Sequence, residues 1–260
     1  MNKDFEIIKN DLSGIGIKKG DDILLHSSFR SLGEVEGGIK TLIEALLSSV
    51  GDSGTVLFPA LSWKNVNAEN GYVFDVKNTP SCVGAIPEFF RTYDGVIRSM
   101  NPTHSVCALG KRMVEYTKDH ILDNGPVGEN SPFYRLSQFG GKVIFLGCST
   151  RPNTSMHGVE ERFGASYLMG KGTKEFTLLD YDGTEIKKYY CYHNIWHNGY
   201  NQRYDRLEDV MKFQKGTVHG AICNIVDSAT MWKNATEKMK EDEFYFVDER
   251  SDEEWISRNE

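Results

Sequence analysis

The stretch NTSMHGVEER, residues 153–162, places a histidine three residues before one glutamate and four before the next. On a helix these spacings share one face, so His157 can contact Glu160 and Glu161. A metal site, a catalytic base with its orienting carboxylate, and a charged helix surface are three open interpretations. A zinc site is disfavoured because no second histidine or cysteine lies at ligand spacing. Of the three interpretations, a catalytic base offers the most useful chemistry, because a carboxylate fixes the imidazole tautomer and lets the ring remove a proton near neutral pH.

The segment that precedes this histidine, KVIFLGCS, is the clearest buried strand in the sequence. Open α/β sheets bind ligands at the carboxyl ends of their strands. The strand therefore brings the start of the histidine's helix to the functional edge of the sheet, which favours the base over the charged surface. Cys148 lies at the same edge, but a cysteine at the end of a buried strand more often packs than reacts. We therefore predict no covalent route through this thiol.

A polar turn, HSSFRSLGEVEGG at residues 26–38, follows a second predicted strand and leads into a helix. Its hydroxyls and glycines are typical of an anion cradle, because backbone N–H groups at a helix start attract phosphate and small residues let it approach. A tight turn capped by Ser28 accounts for the same residues. Phosphate binding and a purely structural turn are both open on this motif alone.

Two further segments collect side chains that can line a pocket. RSMNPTHSVCALG, residues 98–110, places polar groups directly before a short strand, where a ligand site and an ordinary connection are equally good interpretations. YHNIWHNGYNQRYD, residues 192–205, contains His193, His197 and several tyrosines, and it resembles an aromatic, hydrogen-bonding pocket wall more than a metal site. Aromatic residues of a core or a surface would give the same pattern.

Motifs of several enzyme classes are missing from the sequence. The glycines of GIGIKKG, residues 14–20, have the wrong spacing for a dinucleotide fingerprint and precede a strand instead of following one. There is no Walker A loop, no HExxH motif and no G-x-S-x-G elbow. A dehydrogenase, a P-loop NTPase and a zinc protease therefore lose their main support.

The charge and cysteine content restrict the partners and the compartment. Acidic residues outnumber basic ones by 37 to 30, a formal net charge of -7, which disfavours nucleic acid and suits a cationic substrate. Five cysteines, without a Cys-x-x-Cys pair, indicate reduced thiols and no disulfide framework. The N-terminus has no apolar signal region, and no apolar run reaches the roughly 18 residues of a membrane span. We therefore expect a cytoplasmic protein without membrane contact.

Apolar periodicity predicts a helix at about residues 3–13, a strand in DDILLHSS, a helix in GGIKTLIEALLSSVG and a strand in GTVLFPA. This order is typical of a crossover unit, so we predict an α/β fold with a central mixed sheet flanked by helices. A hairpin around Asp182-Gly183 and helices in RYDRLEDVMKFQ and SATMWKNATEKMKEDE predict a smaller β-hairpin/helix lobe in the C-terminal third. The acidic tail, DERSDEEWISRNE, should be solvated. No repeat or linker divides the chain, so residues 1–260 are expected to form a single domain.

Six segments in consistent order and spacing give the sequence a resemblance to the antibiotic N-acetyltransferases, the aminoglycoside 3-N-acetyltransferases and their relatives. They are LLHSSFRSLGEVEGG, GTVLFPALSW, FDVKNTPSCVGAIPEFFR, RSMNPTHSVCALG, GPVGENSPFYRL and KVIFLGCSTRPNTSMHGVEE. Together they cover residues 22–165 well, and a weaker echo, GTVHGAICNIV, follows at residues 216–226. No single segment is decisive, but six in the right order are.

The resemblance implies an α/β fold with acetyl-CoA in a cleft and direct acetyl transfer to an amine, with no metal. It implies that His157 acts as the general base and that Glu160 orients it. The residues that it places against the coenzyme are Ser27, Ser28, Phe29, Gly33, Gly37, Gly38, Thr103, His104, Ser105 and Val106.

The acceptor that the family implies is a small cationic amine, the 3-amino group of the 2-deoxystreptamine ring of an aminoglycoside antibiotic. The candidate contacts to this acceptor are Trp63, Glu161, His193 and Asp205. Family members often carry an aspartate six residues before the histidine, where this sequence has Arg151, and an arginine there would repel a polycation. An acetyltransferase for another small amine and a non-enzymatic CoA-binding protein are therefore competing hypotheses, and the oligomeric state is open.

Overall fold

A central mixed sheet organises residues 2–251, the part of the chain that the computed structural model describes. The strands of this sheet and of two smaller ones are, in chain order, β1 (Asp22–Ser27), β2 (Thr55–Pro59), β3 (Val73–Asp75), β4 (Ile97–Arg98), β5 (Val106–Gly110), β6 (Lys142–Leu146), β7 (Lys174–Leu179), β8 (Glu185–Tyr190), β9 (Tyr200–Gln202), β10 (Gln214–Val218), β11 (Ala221–Asp227) and β12 (Val247–Glu249). The helices are α1 (Lys3–Gly14), α2 (Gly38–Val50), α3 (Ala85–Arg91), α4 (Met113–Thr117), α5 (Pro132–Gln138), α6 (Ser155–Phe163), α7 (Leu207–Val210) and α8 (Ser228–Glu241).

The strand order of the central sheet is β10-β11-β6-β1-β2-β5-β4. β1 runs parallel to both of its neighbours, β2 and β6, whereas the pairs further out are antiparallel. The predicted mixed sheet is therefore confirmed. The three central strands consist largely of consecutive apolar residues, which is the pattern of strands that are buried on both faces.

Different helices cover the two faces of the sheet. In β1, Ile23 and Leu25 pack with apolar residues of α1, α2 and α3, whereas Leu24 packs in the cluster that contains residues of α5, α6 and α8. This alternation is the period-two geometry of a strand. Because β1 and β6 are parallel, their carboxyl ends at Ser27 and Leu146 meet at one edge of the sheet.

A smaller sheet of β3, β7 and β8 has its own apolar cluster, which includes Phe74, Phe176 and Tyr190. β7 and β8 form the hairpin predicted around Asp182-Gly183, where Gly183 adopts the φ of 87° that the turn requires. β3 runs parallel to β7. This small sheet is the hairpin part of the lobe expected in the C-terminal third, and it also contains a strand from the first third of the chain. The helical part of that expectation differs, because α8 packs in the apolar cluster of the central sheet.

The helix predictions for α1, α2 and α8 are confirmed, and Gly51 ends α2 with a φ of 62°. The prediction for RYDRLEDVMKFQ is wrong in its second half, because α7 ends at Val210 and Gln214 begins β10. The reason is tertiary. Phe213 lies against Phe145, with ring centroids 6.2 Å apart, and β10 pairs along its length with β11.

The predicted acidic tail begins inside β12, which pairs with β9, and residues 252–260 lie outside the described residues. Asp248 in this strand forms ion pairs with Arg203 and Arg206, so this part of the tail is tied to the turn before α7. Between residues 2 and 251, none of the helices combines the length and the apolar character that a membrane span needs.

Candidate active site

The turn between β6 and α6 positions the predicted base. β6 ends at Leu146, and Gly147 turns the chain with a φ of 68°. The Asn153 side chain accepts a hydrogen bond of 3.2 Å from the Ser155 backbone N–H, which satisfies one of the free N–H groups at the start of α6. His157 therefore lies in the first turn of the helix, at the carboxyl edge of the sheet.

A buried carboxylate holds the His157 ring. Glu160 is fully buried, and its Oε2 lies 3.3 Å from His157 Nδ1. Two tyrosine hydroxyls donate to the same carboxylate, Tyr204 to Oε2 at 2.7 Å and Tyr167 to Oε1 at 2.9 Å. These charge-assisted hydrogen bonds offset the desolvation of the carboxylate. The structure thus brings the predicted histidine and glutamate together between two tyrosines.

Tyr204 determines which nitrogen of His157 carries the proton. Its Oη lies 2.9 Å from His157 Nδ1 and 2.7 Å from Glu160 Oε2. Burial and the neighbouring Glu160 raise the pKa of Tyr204 well above its usual value, so the phenol keeps its proton. One hydroxyl donates only one proton, and the carboxylate accepts it, so the ring must donate from Nδ1 to the tyrosine oxygen. The lone pair of the neutral ring is then on Nε2, where a base needs it.

Two further histidines surround His157. The ring centroid of His193 lies 4.6 Å from that of His157, and the centroid of His104 lies 5.7 Å from it. Burial lowers the pKa of both His104 and His193 well below the usual value, so both rings are neutral near pH 7. One ligand atom from each of the three rings lies within 4.8 Å of the other two. The expectation of no metal rested partly on local ligand spacing, and these histidines come from three separate segments.

Glu161 binds His193 and not His157. Its Oε1 lies 2.7 Å from His193 Nε2 and accepts a hydrogen bond of 2.7 Å from the Val127 backbone N–H. Burial raises the pKa of Glu161 to about 7. The two adjacent glutamates therefore have separate partners, because Glu160 holds His157 while Glu161 holds His193.

The His157 ring borders a cavity of about 440 Å³, which we call the large cavity. Thr103, His104, His193 and Trp63 also line it. The rest of its wall is rich in aromatic side chains and includes Tyr72, Phe176, Tyr192 and Trp196. A cavity of this volume, lined by aromatic and aliphatic side chains together with polar ones, suits a small molecule.

A second cavity of about 110 Å³, the small cavity, shares Leu61 with the first. Its wall includes Ser27 at the end of β1 and Thr154, three residues before His157. Ser27 Oγ and His26 Nε2 are buried and have no hydrogen-bond partner among the described residues. Burial lowers the pKa of His26 to about 3 and keeps it neutral. Because unpaired buried polar atoms are costly, these two atoms fit a ligand that carries hydrogen-bonding groups.

Part of the predicted anion cradle borders a different cavity. Phe29 and Gly33 line a surface cavity together with three acidic residues, Asp4, Glu34 and Glu36. Carboxylates that line the same cavity repel a phosphate group. The surroundings of Phe29 and Gly33 therefore do not suit an anion.

The rest of this turn is explained by its own contacts. Ser28 Oγ lies 3.1 Å from Ser31 Oγ, and the Ser31 hydroxyl also lies 2.8 Å from the Gly147 carbonyl oxygen, which ties the turn to the segment after β6. Gly37 and Gly38 have φ values of 78° and 66° where α2 begins. Left-handed backbone at both positions accounts for the two glycines without a ligand.

Ser105 and Val106, also predicted to contact the coenzyme, are fully buried and line neither cavity. The Ser105 hydroxyl donates to the Ala60 carbonyl at 2.8 Å and accepts from Arg98 Nε at 2.8 Å. Val106 is the first residue of β5. Both residues therefore fix the start of β5. The two residues just before them, Thr103 and His104, line the large cavity.

Asp205 and Arg151 line a fourth cavity, which His157 does not border. Asp205 pairs with Arg203, with 2.9 Å between Oδ2 and Nη2, and Arg203 also pairs with Asp248. Arg151 contributes to the lowered pKa of Asp205, whose main cause is the hydrogen bond from Arg203. Arg151 therefore lies among carboxylates, and His157 does not border the same cavity.

The two tyrosines at Glu160 were not assigned a role from the sequence. Tyr204 belongs to the segment interpreted as a pocket wall, but no pattern connects it to a glutamate 44 residues earlier. Tyr167 carried no signal at all. Hydrogen bonds between side chains so distant in sequence depend on how α6 packs, and local periodicity does not report that packing.

A family model described as aminoglycoside 3-N-acetyltransferase matches residues 24–240 of the chain. The prophage-derived aminoglycoside N(3')-acetyltransferase-like protein YokD of Bacillus subtilis is 32% identical over 184 residues, which cover 64% of this chain and 67% of that protein. Aminoglycoside N(3)-acetyltransferase IX of Micromonospora chalcea is 33% identical over 170 residues, which cover 59% of this chain and 60% of that protein. In sequence, the chain thus spans about three fifths to two thirds of the length of these relatives.

Solved structures match a larger share of the chain. The structure of AAC-IIIb with CoASH has a TM-score of 0.77 at 25% identity, and the match covers 91% of this chain and 96% of that one. The crystal structure of Bacillus subtilis YokD has a TM-score of 0.74 at 26% identity and covers 90% and 98%. The family match extends from β1 to α8, so it includes the carboxyl ends of β1 and β6 beside the candidate site. The chain therefore belongs to the aminoglycoside 3-N-acetyltransferase family, whose members are acetyltransferase enzymes.

Proposed function

We propose that the chain is an acetyl-CoA-dependent N-acetyltransferase whose acceptor is the 3-amino group of the 2-deoxystreptamine ring of an aminoglycoside. One observation carries this proposal: His157 is held through Nδ1 by Tyr204 and the buried Glu160, and its ring borders the large cavity. Membership of the family and the CoASH-bound relative support the choice of coenzyme.

The small cavity is the proposed site of the coenzyme's pantetheine arm. This arm carries amide and hydroxyl groups on an otherwise apolar chain. The unpaired Ser27 Oγ and His26 Nε2 offer partners for such groups, and apolar residues such as Val83 and Pro87 form much of the remaining wall. Thr154, on the same wall, lies three residues from His157. Because the two cavities share Leu61, we place the acetyl end of the arm on the side of the small cavity that faces the large one.

The large cavity is the proposed site of the acceptor. Its aromatic wall suits the apolar faces of sugar rings. Trp63 and His193 belong to this wall, and Glu161 lies directly behind His193. Burial raises the pKa of Glu161 to about 7, and a cation nearby favours the charged form of this carboxyl group. Arg151 lines the fourth cavity and is not part of this wall.

The proposed reaction is direct transfer between two bound substrates. The neutral acceptor amine attacks the thioester carbonyl carbon while His157 Nε2 takes a proton from the amine nitrogen. The new C–N bond forms, the C–S bond breaks, and the sulfur leaves as a thiolate that receives the proton from the His157 imidazolium. Glu160 stabilises the imidazolium directly and through Tyr204. General-base assistance contributes about 10²–10⁴-fold, so the positioning of the two substrates must supply much of the remaining rate.

A thiol-release assay across a panel of amines tests the proposal. Acetyl-CoA is incubated with gentamicin- and kanamycin-type aminoglycosides and with simple polyamines, and the free thiol of CoA is measured. We expect turnover with aminoglycosides and a loss of about 10²-fold or more in kcat for His157→Ala. NMR of the product should show acetylation at the 3-amino group.

His219→Ala is the matched control, because His219 binds the Leu32 carbonyl and Asp4 and lines neither cavity. It should keep the wild-type rate. Equal rates in wild type and His157→Ala would refute the base. Turnover of polyamines alone would make the protein an acetyltransferase for another amine, and CoA binding without any turnover would make it a binding protein.

A further inference from the structure

His104 and His193 each keep one ring nitrogen outside the hydrogen bonds that hold the ring. His193 binds Glu161 through Nε2 at 2.7 Å, and its buried Nδ1 has no hydrogen-bond partner among the described residues. His104 contacts the Thr103 hydroxyl through Nδ1 at 2.9 Å, which leaves Nε2 for another partner. A buried, unpaired nitrogen is costly unless a ligand completes its hydrogen bonding or coordination.

His157 has the same arrangement, because its Nδ1 is held by Tyr204 and Glu160 while its Nε2 carries the lone pair. All three rings line the large cavity, and one ligand atom from each lies within 4.8 Å of the other two. Nitrogen atoms of three imidazole rings therefore lie around one small volume.

We propose that His104, His157 and His193 bind a divalent transition-metal ion of the zinc class through one nitrogen each. Imidazole nitrogens suit Zn²⁺, Ni²⁺ and Cu²⁺, whereas Mg²⁺ and Ca²⁺ take oxygen ligands. Three histidines with an open fourth position form a recognised zinc ligand set. In such sites the second ring nitrogen donates to a carboxylate or a similar acceptor, and here the second nitrogens of His193 and His157 lie against Glu161 and the Tyr204 hydroxyl.

The rings must close slightly around the ion. With Zn–N distances of about 2.0–2.1 Å in a tetrahedron, ligand nitrogens lie about 3.3 Å apart, so a separation of up to 4.8 Å must shrink by at most about 1.5 Å. Rotation of rings that border open cavity space can supply this movement. The site thus assembles around the ion, and the work of assembly lowers its affinity below that of a preformed site.

The same ion inhibits acetyl transfer, a consequence that rests on the proposed function. Bound metal uses His157 Nε2, which is the lone pair that the base needs, and it fills the adjacent part of the large cavity. Metal and acceptor amine therefore compete. Inhibition should be overcome by higher amine concentration and reversed by EDTA.

Metal binding is tested on the full chain without substrates. Co²⁺ is titrated into metal-free protein and followed by its visible d–d absorption, and calorimetry with Zn²⁺ gives the stoichiometry. We expect one ion per chain, and an affinity about tenfold or more weaker in both His104→Ala and His193→Ala. His219→Ala, with its histidine outside the large cavity, should bind like wild type.

Equal Co²⁺ titrations in wild type and both cavity variants would overturn the metal site. A strong sulfur-to-cobalt charge-transfer band would overturn it as well, since it would identify cysteine as the ligand. Circular dichroism checks that the variants are folded. Where one is not, Glu161→Gln replaces it, because loss of the carboxylate behind His193 should weaken binding by about tenfold.

The inhibitory effect is measured through the acetylated amine, detected by mass spectrometry, because free CoA itself binds zinc. Product formation should fall with Zn²⁺ at concentrations near the dissociation constant and recover with EDTA. Full activity at saturating Zn²⁺ would overturn the inhibition. If no amine is acetylated even without metal, the proposed function fails, and the Co²⁺ titration still decides the metal site.

Discussion

His26 makes the stability of the fold depend on pH in a way that one substitution can isolate. The ring is 7% exposed and stacks on Phe145 with centroids 5.4 Å apart. Burial lowers the pKa of His26 to about 3, whereas an unfolded histidine titrates near pH 6.5. Between these two values the unfolded chain binds a proton that the folded chain does not bind.

The sign and size of the effect follow from this difference. A histidine whose pKa falls on folding contributes stability that is fully present above about pH 6.5 and is lost as the pH falls below that value. At pH 5, which is about 1.5 units below the pKa of the unfolded histidine, the free energy of unfolding is lower by about 2 kcal/mol, because each unit corresponds to about 1.4 kcal/mol. At pH 7 the loss is close to zero.

His26→Phe keeps an aromatic ring against Phe145 and removes the titration. Urea unfolding of the two proteins at pH 7, 6 and 5 gives their free energies of unfolding. The variant should gain about 2 kcal/mol relative to wild type between pH 7 and pH 5. Burial also lowers the pKa of His120 to about 3. Because His120 is present in both proteins, its contribution drops out of the difference between their free energies of unfolding. A difference that stays constant over the three pH values would refute the reasoning.

Four further substitutions separate catalysis, support and packing. Glu160→Gln removes the negative charge that stabilises the imidazolium of His157. Thiol-release kinetics should therefore show a kcat about 10²-fold below that of wild type, with KM within about threefold of the wild-type value. Tyr204→Phe removes one hydrogen bond to a charged group, and kcat should fall by about tenfold in the same assay. Asp205→Asn should leave kcat/KM within about twofold, because this carboxylate pairs outside the large cavity. Gly158→Ala should lower the free energy of unfolding, measured in urea, by about 1–3 kcal/mol, because the new Cβ would lie 2.4 Å from Trp232.

The central sheet was predictable because its strands are bounded by local signals. DDILLHSS and KVIFLGCS are apolar runs that end in polar or glycine-containing turns, and the structure has β1 and β6 there. The segment after α7 was not predictable in the same way. Its apolar spacing fits a helix, but pairing with β11 and the contact of Phe213 with Phe145 outweigh that local preference.

At the site, spacing within one helix could bring His157 and Glu160 together, but it could not identify their neighbours. His104 and His193 come from separate segments and reach His157 only when β5 and the chain after β8 are folded. A search for ligands at short spacing therefore excluded metal on a criterion that these residues were never able to meet. Asp205 was chosen because its type suits a cationic substrate, and spacing gave no indication that its carboxylate pairs with Arg203.

The choice between the two adjacent glutamates shows where the remaining information lies. On an ideal helix, a residue four positions after His157 is offset by about 40° and a residue three positions after it by about 60°, so spacing slightly favours Glu161. The structure uses Glu160, because two tyrosine hydroxyls donate to that carboxylate. The Val127 backbone N–H and His193 occupy Glu161 instead. A carboxylate is stable in a buried position only where hydrogen-bond donors compensate for its lost hydration. Here those donors come from elsewhere in the chain. The helix presents both carboxylates near His157, and tertiary contacts decide which of them binds its ring.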